Sequence, residues 1–152
     1  ASADAFHIAQ PNPQASGAIR AIRWALDDAR VNTGEIDYIN AHGTSTPAND
    51  PLETLAIKTL FGKRAYSLPV SSTKSMLGHP LGASGALEAI ACIMSIRTGM
   101  LHPTRNLDNP DPACDLDYIP HRARSAPVRT VLTNSFGLGG QNAALVLREF
   151  NH

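Results

Sequence analysis

Two histidines and one lysine are titratable groups standing in turns where packing alone would favour apolar residues. His42 lies in NAHGTSTPAND, just after an apolar run, in a turn of threonine, serine and glycine. Lys74 and His79 share the loop of VSSTKSMLGHPLGASGALEAIACIM, between a second short apolar run and a long helical stretch entered through small residues. Packing alone favours apolar residues at the mouth of such a helix. Two strand-to-loop turns, each presenting a histidine, make a site if the strands are neighbours. Glu88, the internal charge of the helical stretch, is costly to bury unless paired, and Lys74 is its economical partner.

Each of these has a plain structural reading as well. Thr44 and Thr46 around His42 are able to satisfy loose backbone donors of a capped turn. Lys74 alone reads as a solvated amine, His79 as a helix-entry residue, and Glu88 as a carboxylate snorkelling at a layer edge. Cys92, inside a helical pattern, and Cys114, in a loop, have neither metal-ligand nor disulfide-framework spacing, so no metal site is expected. The glycine-rich run fits neither dinucleotide nor P-loop spacing, and there is no GxSxG elbow. His102, His121 and His152 receive no role.

What must position the candidates is an α/β fold. Asp4–Ala9 is expected as a short strand, then a helix from after Gln14 to about Val31, with Ile19, Ile22, Leu26 and Ala29 at helical spacing. Asn32 to Gly34 is its expected stop. IDYINA reads as a strand buried in a parallel sheet. Asn49 or Asp50 is the expected N-cap of a helix with Pro51 at its first position. Leu52, Leu55, Ala56, Thr59 and Leu60 form its inner face, and Gly62 closes it. LPVSS is the next strand. The helix from Ala83 to about Arg97 is apolar nearly all round, which predicts burial between layers. A Pro- and Asp-punctuated excursion follows, then two strands, RTVLTNSF and AALVLREF, joined by GLGGQN. In such sheets ligands bind beyond the carboxyl ends of the strands, and His42, Lys74 and His79 all follow strands directly.

At 152 residues, 43% hydrophobic and 17% charged, the chain has the composition of one ordinary globular domain. Thirteen basic and 13 acidic residues leave no net charge to attract nucleic acid or an anionic membrane. No apolar run reads as long enough to span a bilayer, and the two cysteines fit a reducing, cytoplasmic setting. The first residues read as the middle of a fold, which points to a piece of a longer protein.

Five stretches, DAFHIAQPNP, INAHGTSTPANDPLET, SSTKSMLGHPLGASGALEAI, HPTRNLDNPDPACDLDYIP and TNSFGLGGQN, together resemble the C-terminal half of the β-ketoacyl-[acyl-carrier-protein] synthases, most closely the KAS II type. The resemblance covers nearly the whole chain. It implies a thiolase-like fold, with a mixed five-stranded sheet in each half, helices on both faces, and usually a homodimer. It also implies decarboxylative Claisen condensation of an acyl thioester with malonyl on acyl carrier protein. No cofactor is implied; the phosphopantetheine arm of the carrier enters with the substrate.

Carried onto this chain, the resemblance makes His42 and His79 the donors to the malonyl thioester oxygen, Lys74 the residue that orders His79, and Glu88 the partner of that lysine. Thr44 and Thr46 become holders of the pantetheine arm. Phe136, Gly137, Leu138, Gly139 and Gly140 become the gating and oxyanion loop. Leu138 stands where the family usually has Phe, and Gln141 where Thr is common. The family's nucleophilic cysteine belongs to an N-terminal half, and neither Cys92 nor Cys114 has a matching context. The chain is therefore expected to be the C-terminal domain, inactive alone, with the N-terminal half and acyl carrier protein as partners. The competing readings are a non-catalytic chain-length-factor type partner, a polyketide ketosynthase fragment, and a residual decarboxylase or thioesterase.

Overall fold

A computed structural model describes residues 1–150. Its main sheet has five strands: β1 (Ser2–Ala3), β2 (Tyr38–Asn40), β3 (Val70–Ser71), β6 (Thr130–Gly137) and β7 (Gln141–Arg148), in the order β1-β7-β6-β2-β3. A small antiparallel pair, β4 (Met100–Leu101) with β5 (Arg124–Ser125), stands apart. The helices are α1 (Ser16–Ala29), α2 (Asn49–Phe61), the single turn α3 (Lys74–Leu77) and α4 (Ser84–Thr98).

β2 is central and parallel to both neighbours, Ile39 opposite Val70 and Leu132, Asn40 opposite Ser71 and Thr133. Strand alternation sends its side chains to two cores. Ile39 and Leu132 join Ile22 and Leu26 of α1 and Ile57 and Phe61 of α2 on one face. Tyr38 and Val131 meet Cys92 of α4, Leu101 and Ile119 on the other. Helices thus cover both faces, as the order of elements predicts. The β6–β7 hairpin runs from Thr130 opposite Arg148 to Gly137 opposite Gln141. Its turn needs glycine at position 140, where φ is +77° and an added Cβ would lie 2.9 Å from that of Asp4.

Four local expectations change. Asp4–Ala9 is not a strand: Ala5 has φ 52°, and the amides of Ala9 and Gln10 donate to His7 Nδ1 at 3.1 Å each, so they are not available to a ladder. Helix α1 stops before Asn32, at Arg30 in the left-handed region. Helix α2 begins at Asn49, whose amide donates to Thr46 Oγ1 at 3.2 Å, and its buried face is Glu53, Thr54, Ala56, Ile57 and Phe61. Leu55, expected inside, is exposed, because Glu53 and Thr54 turn inward to polar partners described below.

The fourth change concerns α4. It buries Ser84, Glu88, Cys92 and Ser95 against the sheet, while Leu87, Ile90, Ile93 and Met94 face outward, Ile90 at 57% exposure. It is half of a buried helix. With its entry turn it forms an 18-residue stretch, Leu81–Thr98, of mean hydropathy 1.2, so by length and composition one helix does reach the lower limit for crossing a membrane. Its paired Glu88 and its packing on β6 and β7 place it in the layered fold.

Candidate active site

Parallel pairing of β2 with β3 and β6 puts three carboxyl ends side by side. His42 emerges two residues beyond β2, Lys74 three beyond β3, and Phe136 lies at the end of β6. The imidazoles of His42 and His79 meet edge to face, with ring centroids 5.6 Å apart and planes at 85°. Phe136 closes the other side of His42 at 5.7 Å.

The backbone around His42 is held from beneath by a residue that sequence reasoning passed over. Glu53 is buried, and its carboxylate accepts the amides of His42 and Gly43 at 2.9 Å each and the side-chain amide of Asn134 at 3.1 Å. Burial pushes its pKa up, and those hydrogen bonds oppose the rise. Unlike Glu88, Glu53 stands on a helix that also carries Asp50 and Lys58, so its sequence position alone did not mark it as buried. Gly43, at φ +44°, is obligatory, since a Cβ there would lie 2.6 Å from Ser72 Cβ. Glu53→Ala is expected to orphan these buried donors at about 1–3 kcal/mol each, and thermal unfolding reads the loss.

Lys74 and Glu88 form the buried ion pair anticipated from their sequence positions. Ser135 donates to the second oxygen of Glu88 at 3.3 Å. This rules out the snorkelling reading of Glu88 and the solvated reading of Lys74. The pair joins the one-turn α3 to α4 through the end of β6.

His79 is oriented by its own turn. The Leu81 amide donates to His79 Nδ1 at 3.2 Å, and Ser84 Oγ lies 3.1 Å from the same nitrogen. Neutral imidazole has one acceptor and one donor nitrogen, so its proton sits on Nε2, the free end. His42 is kept neutral by burial first, then by the positive charge of Lys74 nearby, and its pKa is lowered to about 3. A neutral His42 imidazole has one N–H to donate without a change of charge near neutral pH.

The His42 shift also sets a stability trend. The unfolded chain takes up the proton near the ordinary histidine pKa of about 6.5, while the folded chain resists until about 3, so acid below 6.5 favours unfolding. Tm is expected to fall between pH 7.5 and pH 5, and His42→Phe to flatten that fall.

A cavity of about 470 Å³ opens beside this cluster, lined by Thr44, Thr46, Lys74, His79, Arg105 and Asn106 among others. Thr44 and Thr46 stand at its wall, their hydroxyls 3.1 Å apart, so the expected arm-holding residues do face a channel, although Thr46 also caps α2. His42 is buried next to His79 and is not itself part of the lining. Phe136 packs on His42, but Gly137, Leu138, Gly139 and Gly140 do not line the cavity, and Leu138 is 80% exposed. The excursion after β4 forms the far wall. Tyr118 hydrogen-bonds Thr54 of α2, Asp117 receives Arg124 at 2.8 Å, and Lys58 pairs with Asp115.

Neither cysteine is poised as a nucleophile. Burial pushes the Cys92 thiol up to about 12, and the Cys114 thiol is raised also. Among the described residues, no group of three or more His, Cys, Asp or Glu side chains could hold a metal ion. His121 stays at the surface near Asp108, and His152 lies outside the described residues.

At the carboxyl edge of a mixed sheet, then, two imidazoles stand face to edge beside a buried Lys–Glu pair, and both thiols are raised. The model of the β-ketoacyl synthase C-terminal domain matches residues 1–108, and the chain belongs to that family, with its thiolase-like α/β fold. It is 54% identical over 147 residues to 3-oxoacyl-[acyl-carrier-protein] synthase 2 of Synechocystis, covering 97% of this chain and 35% of that protein. It is 50% identical over 148 residues to nodulation protein E of Rhizobium meliloti, covering 97% and 36%. Among solved structures, it superposes with a TM-score of 0.95 on a chain of a type II PKS acyl-carrier protein in complex with its ketosynthase (40% identity; 98% of this chain, 36% of that one). The ishigamide ketosynthase/chain length factor gives 0.93 at 47% identity, covering 99% and 36%. The chain thus spans about a third of the relatives it matches.

Proposed function

We propose that this chain is the C-terminal domain of a 3-oxoacyl-[acyl-carrier-protein] synthase and supplies the decarboxylating half of its site. The carrying observation is the His42–His79 pair beside a channel, with the His79 proton fixed on Nε2. The phosphopantetheine arm of malonyl-acyl carrier protein enters along Thr44 and Thr46. The malonyl thioester oxygen, seated against His79, accepts its Nε2–H and an N–H of the adjoining His42, which stabilise the enolate formed as CO2 leaves. The enolate carbon then attacks an acyl thioester carried on a cysteine of a second, N-terminal half, and that cysteine leaves as thiolate. Lys74, fixed by Glu88, orders the His79 turn. Phe136 to Gly140 gate the acyl pocket and lend a backbone N–H to the acyl oxyanion, with Leu138 a smaller gate than Phe.

The outward row Leu87, Ile90, Ile93 and Met94 is the surface on which the second half docks, and the intact enzyme is a homodimer. Retention of His42, Lys74 and His79 favours this over a chain-length-factor role, which needs none of them. Steady-state condensation by this chain alone is expected to read zero, and joining it to a nucleophile-bearing half is expected to yield 3-oxoacyl product. Turnover by the chain alone overturns the proposal.

A further inference from the structure

β2 and β3 are tied together by two polar rungs outside the backbone ladder, one from the start of β2 and one from its carboxyl end. The lower is the Tyr38 hydroxyl with Ser71 Oγ at 2.7 Å; the upper is the Asn40 side-chain amide donating to Thr73 Oγ1 at 2.7 Å. His102, which follows β4 directly, touches both. Its Nε2 lies 2.9 Å from Thr73 Oγ1, 3.1 Å from the Tyr38 hydroxyl and 3.3 Å from Asn40 Nδ2. Its Nδ1 lies 3.2 Å from Ser71 Oγ and 3.2 Å from the carbonyl oxygen of Pro103.

A carbonyl only accepts, so Nδ1 carries the proton and Nε2 is the acceptor. The hydrogen bonds then run one way: Asn40 N–H to Thr73, Thr73 O–H to His102 Nε2, and His102 Nδ1–H to Pro103. Burial lowers the His102 pKa and keeps the ring in this neutral form. The upper rung ends two residues before His42 and one before Lys74.

We propose that His102 is a positioning residue for this site: by bridging both rungs it sets the separation of the β2 and β3 ends, and so where His42 and Lys74 stand. The inference rests on the proposed reaction only for its kinetic readout. A mere core histidine would affect folding; a positioning one affects kcat. A misplacement of an ångström is enough to cost up to about 100-fold in rate.

The test is made in the full synthase, this chain joined to its nucleophile-bearing half, with malonyl-acyl carrier protein decarboxylation as readout. His102→Leu is expected to lower kcat about 10- to 100-fold with KM little changed. His102→Gln places an acceptor oxygen near the Nε2 position and is expected to restore most of kcat. His102→Asn, too short to reach Thr73, is not. Wild-type kcat in H102L, or equal losses in H102Q and H102N, overturns the proposal; if H102L fails to fold, the H102Q and H102N comparison decides. If the wild-type synthase itself does not decarboxylate, the reaction assignment has failed. Positioning is then read from the backbone amide resonances of His42 and Lys74. These should shift in H102N and return in H102Q, and unmoved signals overturn it.

Discussion

His79→Ala in the assembled synthase is expected to slow malonyl-thioester decarboxylation about 100- to 1,000-fold, the usual cost of removing one oxyanion donor. The expectation follows from the tautomer. Leu81 N–H occupies Nδ1, so the Nε2–H is the only donor this ring offers, and alanine removes it without disturbing a buried charge. His79→Gln, whose amide N–H reaches near the Nε2 position, should recover part of the loss. His42→Ala should cost a similar factor. The double variant should lose less than the product of the two, because both donors serve one oxygen. Since His42 stays neutral down to about pH 3, its contribution should not titrate between pH 5 and 8. A fall of less than tenfold in His79→Ala would remove the imidazole from the oxyanion role.

The second large effect lies in the buried ion pair. Lys74→Ala leaves the buried Glu88 without its ion-pair partner, and truncating one partner of such a pair costs about 3–5 kcal/mol. For a domain of this size that lowers Tm by roughly 6–20 °C. Joint replacement, Lys74→Met with Glu88→Leu, removes both charges and keeps the volume, so stability should largely return. Activity should not return, because no amine remains to order the His79 turn. Thermal melts and decarboxylation rates of the three proteins separate these outcomes. Recovery of both stability and rate in the double variant would make the pair purely structural.

The catalytic end of the fold was legible because its residues follow strands. IDYINA and LPVSS read as buried strands from their apolar runs, and a parallel sheet then brings His42 and Lys74 together without further information. The Lys74–Glu88 pair was legible because a charge in an apolar helix demands a partner. Glu53 and His102 were not, since their significance lies in contacts across the chain. Glu53 reaches back 11 residues to the His42 amide, and His102 spans 62 and 29 residues to Asn40 and Thr73. Periodicity placed Ala56, Leu52 and Leu60 of α2 against the core, where they are, but also Leu55 and Thr59, which are exposed, because polar Glu53 and Thr54 are buried by hydrogen bonds that a hydrophobic pattern does not register. On α4 the pattern described a helix covered all round, and this chain covers one side. That difference is itself informative, because an exposed row of Leu87, Ile90, Ile93 and Met94 calls for a partner surface.

The most direct test is the mass in solution of this chain with and without a nucleophile-bearing ketosynthase half, such as that of the Synechocystis relative. The account predicts a one-to-one complex that catalyses condensation, and its loss in Ile90→Asp, a change on the outward face of α4. A stable, soluble 16.2 kDa monomer that ignores the second half would contradict it.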